Sequence, residues 1–292
     1  MDEAGLAQAA EAFRRDGFVH VPGALDGAEV RRLAAHVDAA VAGRTRLDTR
    51  PLAEKSPYEQ SFTQCQSIWE DYPEVGELTF HPTIGRIAAA LLGAKAVRLW
   101  HDQALYKAAG GRETEAHQDH PYWPITEEDA TATVWIPLVP VTREMGAMGY
   151  VPGSHRGAAR FVDIFSKPGD GKALEAAFAD TPPVIVEAQP GDLIFHHGKT
   201  VHLTGPNRTN RPRPAYTAIY FADGCTRSTA MPHPCVDRSH IAVGAVIDGD
   251  ATPIVWPLPD GRRPKPAPWP SYGRRAQRAA DLGVIPQNGG LS

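Results

Sequence analysis

The chain has 292 residues, 42% of them hydrophobic, and a formal charge of −4, which gives a full core and excludes the strongly basic balance of a nucleic-acid or polyanion binder. No apolar run approaches the roughly 18 residues of a membrane span, and Met1-Asp2-Glu3-Ala4 is acidic rather than a secretory leader. Three cysteines, Cys65, Cys225 and Cys235, suit free thiols in a reducing cytoplasm better than a disulfide framework.

Residues 6–15 carry apolar side chains at helical spacing. Asp26 stands just before the periodic run Val30, Leu33, Ala34, Val37 and reads as the N-cap of a helix over 27–41. Residues 43–75, broken by Pro51, Pro57 and Pro73, read as loop with short helices. A third helix is expected over 83–92, ended by Gly93. Strands are expected over 97–107, 131–138, 149–151, 184–186, 193–195 and 216–221, with a helix-period insertion at 172–178. From residue 223 the chain is Pro-rich and irregular. Asp237-Arg238 and 244–257 could fold back as a lid, or wrap the body as such tails more often do. Short strands with turn signals predict a mainly β fold with flanking helices. The core is expected to be a double-stranded β-helix, a cupin-like jelly roll over about 96–222, buttressed on one sheet by the helical N-terminal segment, residues 1–95. The whole of 1–292 reads as a single domain.

The chemistry concentrates at His117-Gln118-Asp119, followed far downstream by His202 and Arg213. Two imidazoles and one carboxylate on one face of a metal leave the opposite positions open, which suits a non-haem ferrous ion that takes a co-substrate and oxygen together. Side chains at i and i+2 of an extended strand point the same way, so two ligands can converge from one strand end. Arg213 opens an apolar run after the turn-rich stretch 205–212, and a hairpin there would set the His202 and Arg213 strands side by side. A planar guanidinium one layer below the metal can grip a carboxylate bidentately. A dicarboxylic 2-oxo acid has one end to chelate iron and another to meet that arginine. Thr204, two residues after His202, can add a hydroxyl donor.

His196 and His197 compete for the distal ligand place, but strand alternation turns only one of them inward, and both read as packing or supporting groups. His155, after the turn formers Pro152-Gly153, reads as part of a turn. Thr133 and Trp135 share one face of their strand and are expected to line the roll, Thr133 near the co-substrate and Trp135 in the substrate pocket. Tyr122 and Trp123 follow the ligands directly, either as a packed loop or as a pocket wall over the open metal face. The mouth of the roll is expected to draw on that loop, on the segment around Phe62 and on Met231 to Arg238.

At these residues the chain resembles the phytanoyl-CoA dioxygenase (PhyH) family of iron(II)/2-oxoglutarate-dependent oxygenases, over about residues 10–222. Phe13 to Val19 matches the family's opening, His117-Gln118-Asp119 its first metal motif, and Gly146 with Val151-Pro152-Gly153-Ser154-His155 its central block. His202 to Asn207 with Arg213 matches its distal motif. The family often has Asn before the glycine that is Gly146 here, where this chain has Met145. The resemblance implies iron held by His117, Asp119 and His202, with 2-oxoglutarate held by Arg213 and Thr204 and contacted by Gln103 and Trp123. It implies oxidative decarboxylation of that co-substrate to succinate and CO2 with O2, coupled to oxidation of an unactivated C–H bond. Related halogenases have a small residue where Asp119 stands, so its presence argues for hydroxylation, desaturation or ring closure. No basic cluster suits a CoA phosphate, which favours a free small metabolite as the substrate. Two other readings stand beside this one: a non-redox metal-dependent jelly roll that isomerises or hydrolyses, and a non-catalytic binding module. Arg213 and Thr204 speak against the first, and three convergent ligands against the second. The sequence carries no signal for oligomeric state.

Overall fold

The computed structural model describes residues 1–269. The chain opens with α1 (Glu3–Asp16), β1 (Phe18–Val21), α2 (Gly27–Thr45), α3 (Pro57–Ser61), β2 (Thr63–Gln66), α4 (Gly76–Thr79) and α5 (Pro82–Leu92). There follow β3 (Val97–Lys107), β4 (Thr114–His117), β5 (Thr131–Pro137), β6 (Met148–Tyr150), α6 (Lys172–Ala177) and β7 (Val184–Val186). The last elements are β8 (Leu193–His197), β9 (His202–Thr204), β10 (Arg213–Ala222), α7 (Pro234–Asp237) and β11 (Ile254–Trp256).

The helix ends follow local chemistry. Asp2 accepts from the Gly5 N–H at 2.9 Å to start α1, and Asp26 accepts from the Ala28 N–H at 2.8 Å to start α2. Gly17 ends α1 at φ 81°, where an added Cβ would meet the His155 ring at 2.4 Å. Pro82 starts α5 and Gly93 ends it in the left-handed region.

Two sheets face one another. The larger runs β1-β8-β5-β10-β3-β11, with β2 also pairing with β3, and the smaller runs β4-β9-β6-β7. Alternation divides the larger sheet's two faces. Val134, Ile136, Phe195, Tyr216 and Tyr220 turn outward onto Phe13, Val30, Val37, Ile84 and Ile87 of the helices. Trp135, Ile194 and Ala215 turn inward and pack with Met148, Tyr150 and Val186 of the smaller sheet. This is the jelly roll with one helix-backed sheet that the strand pattern predicts.

The expected hairpin between His202 and Arg213 does not form. β9 pairs with β4 and β6 in the smaller sheet, whereas β10 pairs with β3 and β5 in the larger. Residues 205–212 cross from one sheet to the other. The Asn207 side-chain amide fixes the crossing by donating to the carbonyls of Ala108 at 3.0 Å and Arg211 at 2.7 Å. Gly146 lies beneath it at φ +80°, and an added Cβ would sit 2.6 Å from the Gly205 carbonyl.

Beyond β10 the chain is irregular but not detached. β11 pairs with the start of β3, and Arg238 forms a bidentate pair with Glu70 at 2.9 and 3.0 Å. The three cysteines are buried and none forms a disulfide. No helix among the described residues is long and apolar enough to cross a membrane.

Candidate metal centre and co-substrate pocket

His117 is the last residue of β4, and His202, the first of β9, lies directly opposite it in register. Asp119 is not on the same extended strand as His117. The chain turns after His117, and Asp119, at φ −77° and ψ −41°, begins the short turn His120–Tyr122. The convergence therefore comes from a strand end plus a turn. One ligand atom from each of His117, Asp119 and His202 falls within 4.8 Å of the others. Asp119 Oδ1 stands 3.8 Å from His117 Nε2 and 3.5 Å from His202 Nε2.

Neighbours fix which atoms face the cluster. The Nδ1 atoms of His117 and His202 lie 2.8 Å from the Glu115 carbonyl and 2.9 Å from the Thr200 carbonyl. A carbonyl only accepts, so each Nδ1 carries the hydrogen and each Nε2 lone pair points at the cluster. Burial pulls both imidazoles down to about 4, and at His117 the closeness of the His202 ring, which resists charging both, adds to the effect. They are neutral, as metal ligands must be. Burial alone would raise the Asp119 carboxyl, but His202, the His196 hydrogen bond and His117 together hold it well below the usual range. Asp119 Oδ2 accepts from the Thr133 hydroxyl and from His196 Nε2, both at 3.0 Å, which leaves Oδ1 to the cluster.

Below the triad lies Arg213, 1% exposed, with Nε and Nη1 lacking any hydrogen-bond partner. Its guanidinium carbon is 5.4 Å from the Trp135 ring. The Tyr150 and Thr217 hydroxyls are also buried without partners. Buried donors left open in this way call for an anionic guest. Lys107, opposite Arg213 in register, is pulled down to about 6 by burial and then by the Arg213 charge, and its Nζ donates to the Arg112 carbonyl. The Thr204 hydroxyl oxygen accepts from the Thr114 N–H at 3.2 Å, so its hydrogen is free to point elsewhere. A ferrous ion and a dicarboxylic 2-oxo acid fit these donors: an N,N,O triad above, an unpaired guanidinium below.

The remaining candidates separate. Thr133 braces Asp119. Trp135 lies on the arginine side, in the core with Tyr150 and Ala215, rather than at the mouth. Gln103 shares the inward face of β3 with Lys107 and accepts from the Gln64 amide. Trp123 packs with Ile125, Ile219 and Phe221. Tyr122 approaches His117, ring centroids 6.3 Å apart. His197 faces Phe13 and His155, away from the triad. Tyr150 and Thr217 are not among the residues the sequence singles out. Alternation from Arg213 would have found Thr217, but Tyr150 reaches the site only by its register with His202.

Comparison with known proteins agrees with this geometry. The phytanoyl-CoA dioxygenase (PhyH) family pattern matches residues 13–215. A probable phytanoyl-CoA dioxygenase of Caenorhabditis elegans is 28% identical over 179 residues, covering 58% of this chain and 57% of that protein. The chain thus spans little more than half of that relative's length. The non-heme alpha ketoglutarate-dependent carbocyclase SnoK of nogalamycin biosynthesis superposes with a TM-score of 0.70 at 27% identity, covering 87% of this chain and 96% of SnoK. The epimerase SnoN, in complex with Fe3+, alpha ketoglutarate and nogalamycin RO, gives 0.67 at 29% identity, covering 87% of this chain and all of SnoN. A family match across most of the jelly roll, over a buried His-Asp-His cluster, places the chain in the phytanoyl-CoA dioxygenase (PhyH) family, as an iron- and 2-oxoglutarate-dependent oxygenase.

Proposed function

We propose that His117, Asp119 and His202 bind the ferrous ion, and that Arg213 holds the distal carboxylate of 2-oxoglutarate. The enzyme would then hydroxylate an unactivated C–H bond of a small metabolite. One oxygen atom of O2 goes to succinate, formed with CO2 from 2-oxoglutarate, and the other goes to the substrate as a hydroxyl. The bound ferrous ion supplies oxygen activation. The chain supplies position and dryness. Thr133 and His196 orient the Asp119 carboxylate, the Glu115 and Thr200 carbonyls orient the imidazoles, and Trp135 backs Arg213. Thr204, Tyr150 and Thr217 offer hydroxyls to the co-substrate, and Gln103 its amide.

The observation that carries this reading is the buried, unpartnered Arg213 beneath the triad. A non-redox isomerase or hydrolase has no use for such a clamp, and a binding module needs no convergent ligands. Asp119 would take the coordination place that a halide needs, which favours hydroxylation. The names of SnoK and SnoN make ring closure and epimerisation the competing outcomes at the same site. Three buried cysteines outside any disulfide favour a cytoplasmic enzyme. The test is succinate and CO2 formed from 2-oxoglutarate with ferrous iron, followed by isotope tracing from 18O2 into product once a screen finds the substrate. Absence of succinate with iron bound would refute the reading, and product without 18O would redirect it to ring closure or epimerisation.

A further inference from the structure

An aromatic surface adjoins the metal centre without binding the metal. Tyr58 and Phe62 are 7% and 8% exposed, yet they join none of the four apolar cores. Their rings meet edge-on at 5.0 Å, and Tyr58 meets Phe165 at 4.5 Å. Phe165 meets Tyr122 at 5.5 Å, and Tyr122 meets both Phe161 at 5.3 Å and the ligand His117 at 6.3 Å. A run of aromatic rings from three separate segments thus ends on a metal ligand. Its outer end, Phe161, is 62% exposed, a large apolar cost unless something covers it.

The polar groups of this surface are tied back. The Tyr58 hydroxyl donates to Gln64 Oε1 and the Tyr122 hydroxyl to the Val162 carbonyl, each at 2.6 Å. What the two tyrosines present is ring, not hydroxyl. The Asp163 carboxylate is engaged by the Phe165 and Ser166 N–H groups, and the Glu115 carboxylate by those of Gly169 and Gly171. Both cation–π contacts among the described residues lie elsewhere, at Trp135 and Trp269. The carboxylates of this surface are thus taken up by backbone N–H groups. The surface is also held to the metal. Gln118, between two proposed ligands, accepts from the Arg160 N–H at 2.7 Å and donates to the Lys199 carbonyl, which fixes the start of the loop carrying Phe161 and Phe165.

We infer that Tyr58, Phe62, Tyr122, Phe161 and Phe165 form the substrate-recognition wall, and that the substrate is an uncharged carbon skeleton whose fused rings pack against it. This rests on the oxygenase reading above. The rings stand at 49–76° to one another, so a rigid polycycle would meet some face-on and others edge-on, and each such contact is oriented in a way that contact with an acyl chain is not.

The test uses the full enzyme loaded with ferrous iron and 2-oxoglutarate without oxygen, its visible absorption reporting separately whether metal and co-substrate are in place. Dissociation constants are measured calorimetrically for 2-naphthamide, decanamide, decanoyl-CoA and choline. 2-Naphthamide is expected to bind at least about tenfold tighter than the other three, and Phe165→Ala to weaken it by about tenfold. Phe165→Leu keeps apolar bulk without the ring, guards against a fold effect and is expected to show the same loss. Tyr58→Phe, which removes only the tied-back hydroxyl, should keep the affinity. Equal or tighter binding of decanamide, decanoyl-CoA or choline would overturn the inference, as would unchanged 2-naphthamide binding in both Phe165 variants. Failure of the oxygenase reading would instead show as an absorption that never develops in the unaltered enzyme.

Discussion

Asp119 divides its two oxygens, one toward the paired histidines and one held by Thr133 and His196. That division separates residues expected to bind the metal from those expected to brace it. His117→Ala, Asp119→Ala and His202→Ala should each abolish stoichiometric iron binding. His196→Ala should weaken it by about 10–100-fold, as loss of a ligand's hydrogen-bond partner does, and His197→Ala should leave it intact. Iron content after desalting checks all five. Retention of iron in His202→Ala with loss in His197→Ala would show the ligand set to be wrong. For Arg213→Ala, removing one partner from a buried ionic pair costs about 3–5 kcal/mol, or on the order of 10²–10³ in 2-oxoglutarate affinity. Thr204→Ala should cost about 1 kcal/mol, one hydrogen bond. Co-substrate titration of the ferrous enzyme measures both, and an unchanged affinity in Arg213→Ala would remove the clamp.

Among the elements, the segment after β10 is held by β11 pairing with β3, by apolar contacts of Val236 and Ile247, and by one distant charge pair. Arg238 and Glu70, with side chains 6% and 4% exposed, meet across 168 positions of sequence, and Trp269 lies over the guanidinium at 3.9 Å. Arg238→Ala would strand the Glu70 carboxylate in a dry site, at about 3–5 kcal/mol. Replacing both partners, Glu70→Gln with Arg238→Met, should cost markedly less, since no buried charge is left alone. Thermal melts of the two variants, with hydrogen exchange across 225–247, check this. Equal loss in both would mean that packing, not the charge pair, holds the segment. From the sequence this stretch is only Pro-rich and irregular, because the partner that orders it lies in the loop region before α4.

Over the whole molecule, burial leaves an acid-sensitive signature. His101, His117, His197 and His202 are each pulled down to about 4, chiefly by burial. The unfolded chain takes up protons at these groups near 6.5, whereas the folded chain does so only near 4. Their contribution is therefore complete above about pH 6.5 and is lost as pH falls from there toward 4. Asp102, pushed up to about 7 by burial, has the opposite sign over much of that window but is a single group against four. The metal-free protein should melt at progressively lower temperature from pH 7 to pH 5, and calorimetry with proton-uptake measurement checks it. A flat or rising melting temperature would show these imidazoles to be charged in the folded state.

The sequence by itself determined what depends on near neighbours and on residue type. Asp26 and Gly93 mark helix ends because capping is satisfied within a few residues, and the expected strand over 97–107 coincides with β3, a stretch with neither Gly nor Pro to break it. The His-x-Asp, His and Arg set was legible because few side chains can hold a ferrous ion and a dicarboxylate. Tertiary structure decided what depends on register between distant segments. It set β9 and β10 in opposite sheets rather than in a hairpin, since a turn-rich stretch of eight residues can cross a sandwich as well as reverse along one sheet. Asp119 left the strand for a turn, and Trp135 came to lie beside Arg213. β2, β4 and β11 are three or four residues long, and so short a strand is defined by its partner more than by its own pattern. The aromatic wall has the same origin: Tyr58, Tyr122 and Phe165 have no periodic relation in the chain, and only the closing of the roll brings their rings together beside His117.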